Sequence, residues 1–168
     1  MISLRRATGD DVDFLVELLN DADVEPWLGA RSARTRDEIL AELARQDAEP
    51  ELFGRFVIEV DGERAGGVGF HCVNERNRIA HFEKFALVPR FRGRGLGVEA
   101  AQAFQRHVLY DLGYHRIELE IYGFNERAVA HAVRSGYVRE GVRRKAYRRN
   151  DAWQDGVLFG LVREDLEQ

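Results

Sequence analysis

Within 168 residues, 45% of them hydrophobic and 32% charged, there is room for one domain around one core. The formal charge of −4 disfavours nucleic acid as a partner, and no stretch reaches the roughly 18 consecutive apolar residues that a membrane span needs. A lone Cys72 and five scattered histidines exclude an internal disulfide and offer no metal-ligand spacing, so no metal site is expected. Arg5, Arg6 and Asp10 stand where a signal peptide requires an apolar run, and the expected location is cytoplasmic.

Ile2 to Ala7 reads as a short strand. Thr8-Gly9-Asp10-Asp11 then supplies an N-cap and an acidic first turn for a helix to about Asn20, with Val12, Leu15, Val16 and Leu19 on its apolar face. Pro26-Trp27-Leu28-Gly29 interrupts the chain before a second helix, from Thr35 to about Gln46, whose buried stripe is Ile39, Leu40 and Leu43. Phe56–Val60, Arg64–Phe70 and Ile79–Val88 follow as three hairpin-connected strands, the first two joined at Asp61-Gly62. Pro89 to Gly97 forms a loop rich in glycine and arginine. It leads into a helix carrying Ala101, Phe104, Val108 and Leu112 at helical spacing, which Gly113 stops. Arg116–Tyr122 is a strand, Asn125 caps a shorter helix ending at Gly136, and two last strands flank a turn at Asn150-Asp151. The order βααβββαβαββ predicts an α/β fold over residues 1–168. Its mixed sheet holds one strand–helix–strand crossover, residues 79 to 122, among antiparallel hairpins.

The crossover loop, Arg90-Phe91-Arg92-Gly93-Arg94-Gly95-Leu96-Gly97, lies between a strand and the positive end of a helix. Successive N–H groups there converge on one concavity, glycines remove the Cβ atoms that block close approach, and arginines supply charge for a pyrophosphate. The alternative is a solvated turn that uses glycine for its backbone conformation alone. No Gly-Lys-Ser/Thr follows, which excludes a P-loop, and Val98 stands where a dinucleotide fingerprint has its third glycine.

Arg92-x-x-Gly95-x-Gly97, after Val88-Pro89 and before Glu99-Ala100-Ala101, resembles the acetyl-CoA motif of the GNAT superfamily of N-acetyltransferases. Asn125-Glu126-Arg127-Ala128, Ser135-Gly136-Tyr137, Arg139-Glu140-Gly141 and Trp153-Gln154-Asp155 are similar to that family's second half. Together with Pro26-Trp27-Leu28 they resemble the branch of ribosomal-protein N-terminal acetyltransferases and spermidine N-acetyltransferases. The resemblance implies acetyl-CoA as co-substrate. Phe85, Ala86 and Leu87 would pair their backbone with the pantetheine arm, Arg92, Gly93, Arg94, Gly95, Leu96, Gly97 and Val98 would hold the pyrophosphate, and Asn125 would contact the pantetheine. The alternatives are core packing for Phe85 and Leu87 and a helix cap for Asn125.

Acetyl transfer to an amine requires the neutral amine, so a proton acceptor is needed. Period-2 alternation puts His81 and Glu83 on one face of the crossover's first strand. Glu83 is the first candidate general base, directly or through water, and His81 the second; the alternative for Glu83 is a salt bridge with an arginine. A backbone N–H near Ala86 or Leu87 is placed to stabilise developing negative charge on the acyl oxygen. Many members of the family place a tyrosine seven residues after the asparagine to protonate the leaving thiolate, and here that position is Ala132. Tyr122 is one substitute, with a core role as its alternative; His131 is expected to face away from Ala132. The missing tyrosine turns the expectation from spermidine toward an α-amine, peptide or small-molecule acceptor, chosen by residues 20 to 36 and the 70s loop, where Asp21, Asp23 and Glu25 attract a cation. The basic run from Arg139 to Arg149 reads as a solvated strand face. The chain is expected to be an N-acetyltransferase acting by direct transfer. The alternative is an acyl-CoA-binding or regulatory module with weak turnover, and a homodimer is compatible with either.

Overall fold

The computed structural model describes residues 1–28 and 33–167, so Gly29 of the expected interruption lies outside the described residues. The elements come in the expected order: β1 (Ile2–Arg6), α1 (Val12–Asn20), α2 (Arg36–Ala48), β2 (Phe53–Val60), β3 (Glu63–Asn74), β4 (Ile79–Leu87), α3 (Leu96–Arg106), β5 (Arg116–Tyr122), α4 (Glu126–Arg134), β6 (Val138–Arg149) and β7 (Ala152–Val162). They build one seven-stranded sheet, β1-β2-β3-β4-β5-β7-β6, in which only β4 and β5 run parallel. Both tight hairpins use residues that tolerate positive φ, Asp61 and Gly62 (51° and 82°) and Asn150 and Asp151 (53° and 57°). Their backbone twist matches that of the flanking strands.

Helices cover both sheet faces, so β2 is apolar on both. Phe56 and Ile58 enter the larger core with Phe70, Phe104 and Ile117, under α3 and α4; Val57 meets Leu15, Leu19, Ile39 and Leu43 of α1 and α2 on the opposite face. One expected stripe residue is displaced. In α1, Val16 packs half-buried against the core beside Val12, Leu15 and Leu19, and Leu18 is buried as well, whereas in α2 Leu40 is 45% exposed. The α2 contact is narrow, running Ile39, Leu43, Gln46, and Leu40 lies about 100° round the helix from Ile39. Gln46 substitutes for an apolar residue by donating to the Ala7 carbonyl (3.1 Å) and accepting from the Arg55 amide (2.9 Å).

The feature that creates a site is the parting of β4 from β5. Their parallel pairing covers only Ile79–His81 against Arg116–Glu118. Beyond it, β4 carries a bulge: the partners of Gly67 and Gly69 are Ala86 and Glu83, and Lys84 has φ of 53°. The extra residue sharpens the bend of β4 away from β5. It also sends Glu83 and Lys84 to the α1/α2 face while Phe82 and Phe85 both pack on the α3/α4 side.

Candidate active site

Where the strands part, a cleft of about 430 Å³ passes through the sheet. Its α3/α4 side is walled by Phe82, Phe85, Leu119, Ala132 and Tyr137, and its α1/α2 side by Trp27, Arg34, His81, Glu83, Glu120, Tyr122 and Tyr147. Aromatic rings line the latter mouth: Tyr122 stacks on Phe124 (5.2 Å, 11°), which meets Trp27 at 5.8 Å, and Tyr147 stands edge-on to Tyr122 at 5.3 Å. Of the expected acceptor-choosing segments, Trp27, Leu28 and Arg34 reach the cleft, residues 29–32 lie outside the described residues, and the 70s loop does not line it. Asp21, Asp23 and Glu25 do not line it either. Asp21 borders a second groove, and Asp23 lies 4.0 Å from Arg92.

His81 and Glu83 share the cleft face of β4 but differ in chemistry. Glu83 accepts from Arg55 (3.1 Å) and lies 3.2 Å from His71 Nδ1. Burial pushes its pKa up, but the His71 hydrogen bond and the charges of Arg55 and Lys84 outweigh this and hold the carboxyl well below its usual range. Arg55, on β2, is 1% exposed and bridges Glu83 to Glu42 of α2 (3.0 Å), to which Lys84 also binds. Gly69 makes room for it, since a Cβ there would collide with the guanidinium. The buried network is thus two cations and two carboxylates. His81 lies with its ring 5.1 Å from that of His71, and burial, reinforced by His71, lowers its pKa from 6.5. It is therefore a neutral imidazole facing the cleft at pH 7, free to accept a proton.

Glu120 was not singled out in the sequence, although Glu118 and Glu120 alternate onto one face of a mostly apolar strand. Its side chain is 17% exposed; the Tyr147 hydroxyl hydrogen-bonds the carboxylate, Oε2 lies 3.5 Å from Arg143, and Oε1 is buried without a hydrogen-bond partner among the described residues. On α4, Ala132 is buried at the cleft wall and His131 borders the same cleft, its ring stacked on Phe85 at 5.0 Å. The expectation that His131 faces away is corrected: neighbours on a helix diverge by about 100°, too little to leave a cleft this wide. Tyr122 lines the cleft instead of filling the core.

The expected cofactor residues form a continuous track. Ala86 and Leu87 pair with Gly67 and Gly66 on one edge of β4, and the other edge, toward β5, has no strand partner past His81 among the described residues. Leu87 then leads through a turn at Pro89–Phe91 to Gly93 and Gly95, both with positive φ (81° and 77°), and Gly95 caps α3. A Cβ on either glycine would meet nothing within 4 Å, and the N–H groups of Gly93, Arg94, Gly95 and Leu96 have no acceptor among the described residues. An open concavity of free N–H donors at a helix N-terminus fits a pyrophosphate. The arginines contribute unequally. Arg92 Nε donates to the Leu87 carbonyl (2.8 Å), tying the loop to the end of β4, Arg94 donates to the Arg90 carbonyl (2.7 Å), and Arg90 pairs with Glu63 (2.9 Å). Asn125 does cap α4, accepting from the Ala128 amide (3.1 Å), and borders the cleft as well.

Residues 2–138 match the family described as acetyltransferase (GNAT) domain. The chain belongs to the GNAT acetyltransferase family. Spermidine N(1)-acetyltransferase of Escherichia coli (strain K12) is 27% identical to this GNAT enzyme over 140 residues, 83% of this chain and 74% of that protein. Spermidine N-acetyltransferase from Vibrio cholerae, solved in complex with CoA and spermine, superposes with a TM-score of 0.87 at 23% identity, over 99% of this chain and 98% of that one. Ribosomal-protein-S5-alanine acetyltransferase from Vibrio fischeri gives 0.82 at 22% identity, over 98% and 94%. The structural likenesses establish the GNAT fold. No helix of the described residues is long and apolar enough to cross a membrane.

Proposed function

We propose that this GNAT enzyme moves an acetyl group from acetyl-CoA to a primary amine by direct transfer, the co-substrate lying along residues 85–87 and 92–98 and the amine entering from the α1/α2 side of the cleft. The observation that carries this reading is the unpaired edge of β4, which runs from the cleft to the free N–H groups before α3. An extended pantetheine can pair with it as a further strand would. Acetyl-CoA, when bound, supplies the activated acyl carbon. The amine nitrogen bonds to that carbon, the C–S bond breaks, and the electron pair leaves on the thiolate.

The chain's own residues set up the attack. His81 takes the amine proton, since its neutral imidazole faces the cleft; Glu83, held ionised by Arg55 and His71, is the weaker base and serves to fix the β4 bulge. Glu120 orients the incoming amine. No hydroxyl stands at Ala132, but a thiolate with a conjugate-acid pKa near 8.5 leaves tolerably without a donor. The same absence favours the second reading, an acyl-CoA-binding module with little turnover.

Thiol release from acetyl-CoA, followed against a panel of polyamines, amino acids and alanyl or seryl peptides, with the N-acetyl product identified by mass, tests the reading. Amine-dependent release is expected. Tight acetyl-CoA binding with no release for any amine would favour the binding module.

A further inference from the structure

On the reading of the cleft given above, its charge inventory narrows the acceptor. Among the described residues, the charged side chains that line it are Arg34, Glu83, Lys84 and Glu120. Two of these are matched inside the protein: Glu83 by Arg55 and His71, Lys84 by Glu42. Two remain. Glu120 Oε1 is buried without a hydrogen-bond partner among the described residues; the carboxylate is met by the Tyr147 hydroxyl, which is neutral, and by the exposed Arg143, the one cation within ion-pair distance of it there. Arg34 is half-buried, its Nε is buried without a partner, and its guanidinium makes no ion pair among the described residues.

Arg34 is also held in place. Asn20 of α1 donates to its carbonyl (2.8 Å) and accepts from its amide (2.6 Å), pinning the backbone at the cleft mouth. A guanidinium so anchored, partly desolvated and short of acceptors is satisfied best by a planar anion that takes two of its N–H groups at once, and a carboxylate has that shape. A carboxylate like that of Glu120, with one buried oxygen short of a donor and among the rings of Trp27, Tyr122 and Tyr147, is satisfied by an ammonium.

We infer that the natural acceptor carries a carboxylate near its amine, with Arg34 holding the carboxylate and Glu120 the amine. The class comprises free amino acids and peptide N-termini with an acidic neighbouring side chain. A polyamine meets the site badly, because its further ammonium groups would lie toward Arg34 with nothing negative to offer it.

The test compares matched acceptors with the full chain: alanine against alaninamide, alanyl-aspartamide against alanyl-asparaginamide, and spermidine. The free amino acid pair and the acidic peptide pair separate the two sources of the carboxylate. At least one carboxylate-bearing member is expected to exceed its neutral partner in kcat/KM by roughly tenfold or more, and to exceed spermidine. Arg34→Met is expected to erase that ratio by raising the KM for the acceptor, with the KM for acetyl-CoA unchanged. Equal rates within both pairs, or preference for spermidine, overturn the inference while leaving acetyl transfer intact. A ratio that survives Arg34→Met removes Arg34 from the assignment. Failure of every amine to stimulate thiol release overturns the acetyltransfer reading and this inference with it.

Discussion

Replacing Glu83 by Gln separates two roles for this carboxylate. Arg55 is 1% exposed and, among the described residues, pairs with two carboxylates, Glu42 at 3.0 Å and Glu83 at 3.1 Å. With Arg55, Lys84, Glu42 and Glu83 all ionised the cluster is neutral, and Glu83→Gln leaves it with one uncompensated positive charge. Breaking a buried pair outright costs about 3–5 kcal/mol; here Glu42 remains and the amide oxygen still accepts a hydrogen bond, so about 2–3 kcal/mol is expected. In a domain of this size that is a fall of about 5–10 °C in Tm, read by calorimetry or circular dichroism. The pH profile of kcat supplies the second readout. Glu83 raises the pKa of His81, so its loss moves the acid limb to lower pH without abolishing transfer. An unchanged Tm combined with a rate loss of more than about a hundredfold at every pH would refute this reasoning and return Glu83 to the role of base.

Three further outcomes are expected. His81→Asn lowers kcat by about a hundredfold or more and removes the acid limb, which in the wild type lies below pH 6.5 because burial lowers the His81 pKa; a preserved limb would exclude His81. Gly95→Asp abolishes acetyl-CoA binding in titration calorimetry, since it puts bulk and like charge into the cradle at φ 77°, and unchanged affinity would exclude the cradle. Asp11, fully buried and bound by Arg5 and Arg64, has its pKa lowered from 3.8 to about 2 against the opposing effect of burial. Its ionised form thus contributes about 2 kcal/mol that is present above pH 3.8 and lost as pH falls through 2, whereas Asp11→Asn lacks it at all pH; urea unfolding from pH 2 to 6 distinguishes the two curves.

Local signals made much of the fold legible. Asp61-Gly62 and Asn150-Asp151 announce their turns because few other pairs adopt two positive φ values, and Gly93 and Gly95 announce a loop whose backbone takes positive φ. The parting of β4 and β5 was not legible, because its bulge sits on Lys84, a residue type with no preference for positive φ. Tertiary packing imposes that conformation, with Lys84 drawn to Glu42 of α2. The cleft was legible in part. His81 and Glu83 follow from alternation along one strand, but Arg34, Glu120 and Tyr147 come from elements far apart in sequence and meet only once the sheet has formed. Arg55 gave a faint signal, a charge at the start of an apolar strand, and Leu40 a false one, an apolar residue one position off a narrow stripe.

Amide hydrogen exchange with and without CoA tests the central claim most directly, because it reads backbone groups one segment at a time. Slowed exchange confined to residues 85–87 and 92–98 is the predicted result, the first from strand-like pairing with the pantetheine and the second from the pyrophosphate on the free N–H groups. CoA binding that leaves both segments unchanged would contradict the account.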